Sequence, residues 1–153
     1  MQQSLFNNVI CDTLNKMENN IKGAYKSPRK THGFDFIFEG EIRFGPEYYK
    51  LKLDGMLISN RIFGFEFKWQ PESKYLALQE WLTTDAQKGP ITALTLVNLD
   101  TREFARISKT EKGFVKPLRF EKELIIFEKK YLATGKTVEY EINYLQIENW
   151  KKI

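Results

Sequence analysis

The feature that most limits how this chain can fold is a set of aromatic residues at every second position. Phe34, Phe36 and Phe38, and later Phe63, Phe65, Phe67 and Trp69, alternate with charged, small or other neighbours. Successive side chains of an extended strand point to opposite faces, so a period of two gathers each series on one face of a sheet. That face has to meet another layer, which makes core packing the stronger explanation and a base-stacking surface the weaker one. Between the two runs, Tyr49, Leu51, Leu53, Gly55 and Leu57 line one face of a further strand, with Lys50, Lys52, Asp54 and Met56 on the other. Gly45-Pro46-Glu47-Tyr48 and Ser59-Asn60-Arg61 supply turns on either side, and the three strands read as an antiparallel meander. Asp54-Gly55 also has the composition of a tight turn, but apolar alternation on both sides argues for a continuing strand.

Two segments around this meander change period. Leu5, Phe6, Val9, Ile10, Leu14, Met17 and Ile21 recur at three- and four-residue intervals, predicting an amphipathic helix over 3–22 that ends at Gly23. Leu76, Leu78, Trp81, Leu82 and Ala86 predict a second helix over 73–87, with Ser73 as its cap and Gly89-Pro90 closing it. The apolar run Ile91 to Leu99 reads as a strand buried on both faces, reached by a helical crossover. Beyond it, 103–108, 114–120 and 137–147 read as strands, while 121–132 fits a helix or a strand. These elements predict one α/β (α+β) domain over 1–153, with a mixed central sheet in a core of 3–99 and an extension of 100–153.

At 153 residues, 42% of them hydrophobic, the chain has ample material for one core. A net charge of +4 permits attraction to a polyanion without diagnosing one. The single cysteine, Cys11, excludes an internal disulfide and a cysteine-based zinc site, and reads as a buried helix residue. No apolar run approaches the roughly 18 residues of a membrane span, and residues 1–20 lack a secretory signal pattern. A cytoplasmic location with no membrane partner is the expectation.

The residues that suggest chemistry are Asp54 and, beginning eleven positions on, Phe65-Glu66-Phe67-Lys68. Glu66 and Lys68 emerge on the same side of a strand, and pairing of neighbouring strands would bring Asp54 towards them. Two adjacent carboxylates call for a cation, and oxygen ligands of this kind suit Mg²⁺ or Mn²⁺. The metal would polarise a phosphate and acidify a bound water, with Lys68 orienting that water and the Phe67 carbonyl a further ligand.

This pattern resembles the Asp…(Asp/Glu)-X-Lys signature of the PD-(D/E)XK nuclease superfamily, whose helix–strand–strand–strand–helix–strand core matches the order read above. Leu78-Gln79-Glu80-Trp81-Leu82 is similar to the branches of phage-type resolvases and virus-type replication-repair nucleases. The resemblance implies a restriction-endonuclease-like fold and Mg²⁺- or Mn²⁺-dependent nuclease cleavage of DNA, with endonuclease or exonuclease action both open. It also implies catalytic roles for Asp54, Glu66, Lys68 and Gln79, and a homodimer. Leu53 stands where the nominal motif has proline. The first-helix metal ligand carries over to Glu18, with Asp12, Glu39 and Glu41 as other acids. Lys26, Arg29, Lys30 and His32 are weak candidates for nucleic-acid contact, set against an ordinary solvated loop. The rival functions are a non-catalytic interaction protein, such as an immunity or inhibitor protein, and a metal-free nuclease-fold subunit that binds DNA.

Overall fold

The computed structural model describes residues 22–42 and 45–153, and among these the chain is built from strands. In order they are β1 (Tyr25–Lys26), β2 (Gly33–Glu41), β3 (Glu47–Leu53), β4 (Met56–Trp69), β5 (Tyr75–Trp81) and β6 (Ile91–Asn98). β7 (Glu103–Glu111), β8 (Gly113–Glu121), β9 (Leu124–Tyr131), β10 (Thr137–Asn143) and β11 (Lys151–Lys152) complete the set, with one 3₁₀ turn at Tyr144–Gln146. The first sheet has the order β1-β2-β3-β4-β5-β6-β7-β11 and the second β10-β9-β8. All pairings are antiparallel.

The expected α/β core with a mixed sheet is therefore corrected to an all-β architecture, and with it the resemblance to the PD-(D/E)XK superfamily. The decisive segment is Leu76–Trp81, which forms β5 instead of a helix. Every residue there is buried, because β5 lies in a middle layer with a core on each face. Burial on both faces erases the period-two signal, and Leu, Ala, Gln and Glu are ordinary helix formers whose weak preference tertiary packing overrides. β5 then returns directly to β6 as its antiparallel neighbour, so no crossover exists. The expected helix over 3–22 and Cys11 lie outside the described residues.

The long sheet cannot be flat. Strands sit about 4.8 Å apart, so β4 and β7 would be roughly 14 Å from each other across a plane. Instead the Arg61 guanidinium of β4 lies 3.2 Å from the centroid of the Phe104 ring on β7. Asp54, at the β3–β4 turn, likewise reaches Arg102 between β6 and β7. The sheet curls so that β2, β3 and the first half of β4 fold over β5–β7, as the right-handed twist of long sheets favours. Phe34, Leu51, Leu53, Ile58 and Phe63 meet Leu76, Leu78, Val97 and Leu99 in the concave core. On the convex side Ala77, Leu94 and Leu96 pack against Val115, Ile125 and Phe127 of the second sheet. Tyr144 ties these layers: its hydroxyl accepts from Gln70 Nε2 and donates to the Lys122 carbonyl, both at 2.8 Å.

β4 runs unbroken for 14 residues through the expected turn at Ser59–Arg61, where Asn60 takes a left-handed φ of 61° within the strand. The real hairpin turn is Asp54-Gly55, with φ of 49° and 85° and the pair Leu53↔Met56 closing it. Positive φ at both central positions is the signature of a type I′ turn, which Asp-Gly suits.

Candidate functional site

An open groove of about 730 Å³ lies between the β3–β4 part of the first sheet and the outward face of β8 and β9. The β4–β5 register shifts between Phe63 and Phe67, and Gly64, within that irregular stretch, lines the groove. A Cβ at Gly64 would overlap the side-chain oxygen of Gln79, so glycine lets that amide lie flat on the strand. Gln79 is held at both ends: Nε2 donates to the Val115 carbonyl at 2.8 Å, and Oε1 accepts from Trp81 Nε1 at 3.2 Å.

Aromatic side chains dominate the walls. Tyr49 and Phe65 form one side, Trp81 and Phe114 the other, with Trp81 and Phe114 5.5 Å apart between ring centroids. Phe65 is 52% exposed, and Phe36 at 4.9 Å and Tyr49 at 5.8 Å continue the shelf towards Phe38, which is 60% exposed. Three carboxylates, Glu47, Glu66 and Glu128, face two ammonium groups, Lys116 and Lys130. Tyr49 donates to Glu47 at 2.5 Å, and this bond, then burial and the Glu47 charge, raise the phenol above its ordinary pKa. Past Pro46, Trp81 and Phe114 the groove opens into an apolar socket of about 170 Å³.

Of the residues read as a site from the sequence, the groove holds Glu66 and Gln79. Glu66 forms a loose pair with Lys116 at 3.9 Å, both about half exposed. Gln79 sits on a strand and serves as a cross-sheet link. Lys68 is exposed beyond the groove, opposite Ala77, while Phe67 packs into the concave core against Tyr25 and Phe34.

Asp54 belongs to a different cluster. Its Oδ1 accepts from the Gly33 amide at 2.9 Å, and its Oδ2 meets His32 Nδ1 at 2.7 Å and Arg102 Nη2 at 3.2 Å. Burial pushes this carboxyl up, but the His32 and Gly33 hydrogen bonds and the His32 and Arg102 charges outweigh it, leaving the pKa lowered. From Asp54 to Glu66 the chain runs through the turn and along β4 for roughly 40 Å of contour at about 3.3 Å per residue. The two carboxylates belong to separate clusters, Asp54 with His32 and Arg102 and Glu66 with Lys116, and among the described residues no group of three His, Cys, Asp or Glu is placed to hold a metal. Glu18 lies outside the described residues. Glu39 pairs with Lys50 at 3.8 Å, and Glu41 is exposed at the end of β2.

The basic loop is a tight connection organised by Ser27, whose Oγ accepts from the Thr31 and His32 amides. Lys26 lies on β1, Lys30 takes a left-handed φ of 56°, and the Arg29 amide donates to Ser73 Oγ at 2.9 Å. Ser73 thus fastens a turn to this loop instead of capping a helix.

One cluster escaped sequence reasoning altogether. Glu80, 1% exposed, accepts from Arg106 and Thr95 and forms an ion pair with Arg61. These residues come from four strands far apart in the chain, so no local spacing signals them.

The nuclease reading, with its Mg²⁺-dependent resolvase-like chemistry and enzymatic identity, does not survive this geometry: its fold is absent and its paired acids are apart. Among the described residues, no helix is long and apolar enough to cross a membrane. Comparison with known protein families, with curated proteins and with solved structures finds no match for this chain.

Proposed function

We propose that this chain is a non-catalytic interaction protein, of the immunity or inhibitor kind, that binds a partner protein through the groove between β4 and β8. The observation that carries the reading is the aromatic shelf leading into an apolar socket. Interfaces concentrate binding energy in Tyr, Trp and Phe around buried pockets filled by one anchor. An apolar cavity of about 150 Å³ holds a benzene molecule, so the socket has room for one aromatic or branched aliphatic side chain. Three carboxylates against two lysines favour basic residues beside that anchor and disfavour a phosphate backbone. Tyr49 is bonded to Glu47, Gln79 to the Val115 carbonyl, and Glu66 is paired with Lys116, an arrangement that suits a binding surface better than a reacting one.

The test is a photo-crosslinking amino acid placed at Phe65 or Phe38 in cells that make the protein, with Glu111 as a control position. A discrete adduct from the first two positions alone identifies the partner. The purified pair should then lose at least roughly tenfold in affinity with Phe114→Glu, because a charge in an apolar socket is left unpaired. No discrete adduct at either position, or affinity indifferent to Phe114→Glu, would reject the reading.

A further inference from the structure

We propose that Arg61 and Arg106, gathered around Glu80, form a binding site for a single oxyanion group, the phosphate monoester or carboxylate of a small ligand. The inference is independent of the groove, since Glu80 projects from the face of β5 opposite to Gln79.

The first support is the count of bonds on Glu80. Oε1 forms an ion pair with Arg61 Nη1 at 2.8 Å and accepts from Arg106 Nη2 at 2.9 Å; Oε2 accepts from Arg106 Nε at 2.7 Å and Thr95 Oγ1 at 2.9 Å. A carboxylate offers about four acceptor positions, and three hydrogen bonds and one close ion pair surround this one. Two guanidinium groups share it, and one positive charge is left over.

The second support is rigidity. The Arg61 side chain is only 11% exposed and lies on the Phe104 ring, so its guanidinium is positioned before any ligand arrives. Burial lowers its pKa, Glu80 opposes that effect, and the Arg106 charge lowers it further. Arginine stays protonated through such shifts, so a second anion would relieve the repulsion.

The third is access. A pocket of about 540 Å³ opens beside these arginines, a size typical of small-ligand sites. Asn60, Thr83 and Thr84 bring amide and hydroxyl donors to it, and among the described residues lining it Glu80 is the sole acid. Arg106, 49% exposed, can turn its remaining N–H groups to the ligand while keeping its hold on Glu80. Forked guanidinium groups match the geometry of phosphate and carboxylate oxygens.

The experiment is a titration of the full ¹⁵N-labelled chain with inorganic phosphate and, separately, acetate, at fixed ionic strength with chloride as control. Saturable shifts are expected at the Asn60, Thr83 and Thr84 amides and at Arg61 Nε–H. Tighter binding of phosphate assigns a phosphomonoester; tighter binding of acetate assigns a carboxylate. Arg106→Gln should weaken the better anion by about tenfold or more, the worth of one charge-assisted hydrogen bond. Thr84→Val leaves the ion cluster intact and should also weaken it, which keeps the test alive if the arginine variant unfolds. No saturable shift with either anion, shifts that arise elsewhere, or binding undiminished in the folded variants would overturn the proposal.

Discussion

Replacing Glu80 by glutamine tests whether the buried ion cluster holds the curled sheet closed. Removing one member of a buried pair costs about 3–5 kcal/mol, because the remaining charge is stranded. Here Arg106 is half exposed and can turn to water, whereas Arg61 is enclosed by β4, β5 and Phe104. The amide of glutamine also keeps an oxygen for Thr95 or one arginine. The loss should therefore fall near the low end, at about 3 kcal/mol. Urea unfolding followed by tryptophan fluorescence reads it directly. With a slope of about 2 kcal/mol per molar, the midpoint should drop by roughly 1.5 M at unchanged slope. Adding Arg61→Met to Glu80→Gln removes the stranded charge and should recover part of the loss, giving a coupling of about 1 kcal/mol or more. A Glu80→Gln midpoint within about 0.3 M of the parent would refute the argument, as it would correspond to only about 0.5 kcal/mol.

Asp54→Asn keeps a residue that tolerates left-handed φ but removes the charge facing His32 and Arg102, so it should destabilise by about 1–2 kcal/mol near neutral pH. The depressed Asp54 pKa contributes stability above the unfolded aspartate value of about 3.9 and loses it as pH falls through the folded value, so the two proteins should converge in acid; parallel stability profiles down to low pH would contradict this. Gly64→Ala should displace Gln79 and break its bond to Val115, lowering stability by about 1–3 kcal/mol in thermal unfolding, with Gln79→Ala in the same background recovering part of it. Tyr144→Phe strands Gln70 Nε2 and the Lys122 carbonyl and should cost about 1–3 kcal/mol by urea unfolding, an effect smaller than about 0.5 kcal/mol showing that water replaces the hydroxyl.

What the sequence determined by itself is local. The alternation of Phe34, Phe36 and Phe38 and of Phe63 to Trp69 implied strands whose aromatic face is core; β2 and β4 do carry Phe34, Phe36, Phe63, Phe67 and Trp69 into the concave core, whereas Phe38 and Phe65 stay more than half exposed. Ile91 to Leu99 implied a strand covered on both faces, and β6, Ile91–Asn98, is buried at every position between its two ends. Asp54-Gly55 had the composition of the turn it forms, although apolar residues on both sides made a continuous strand the preferred reading. Only the tertiary structure decided the rest. Leu76–Trp81 became a strand because two cores enclose it, and a segment buried on every side has no periodicity left to read. Asp54 and Glu66 stand apart because Asp54 sits in the turn before β4 and Glu66 near the far end of that long strand. Glu80, Arg61 and Arg106 meet because the sheet curls, and the charge they leave uncompensated follows from that curl, not from any spacing along the chain.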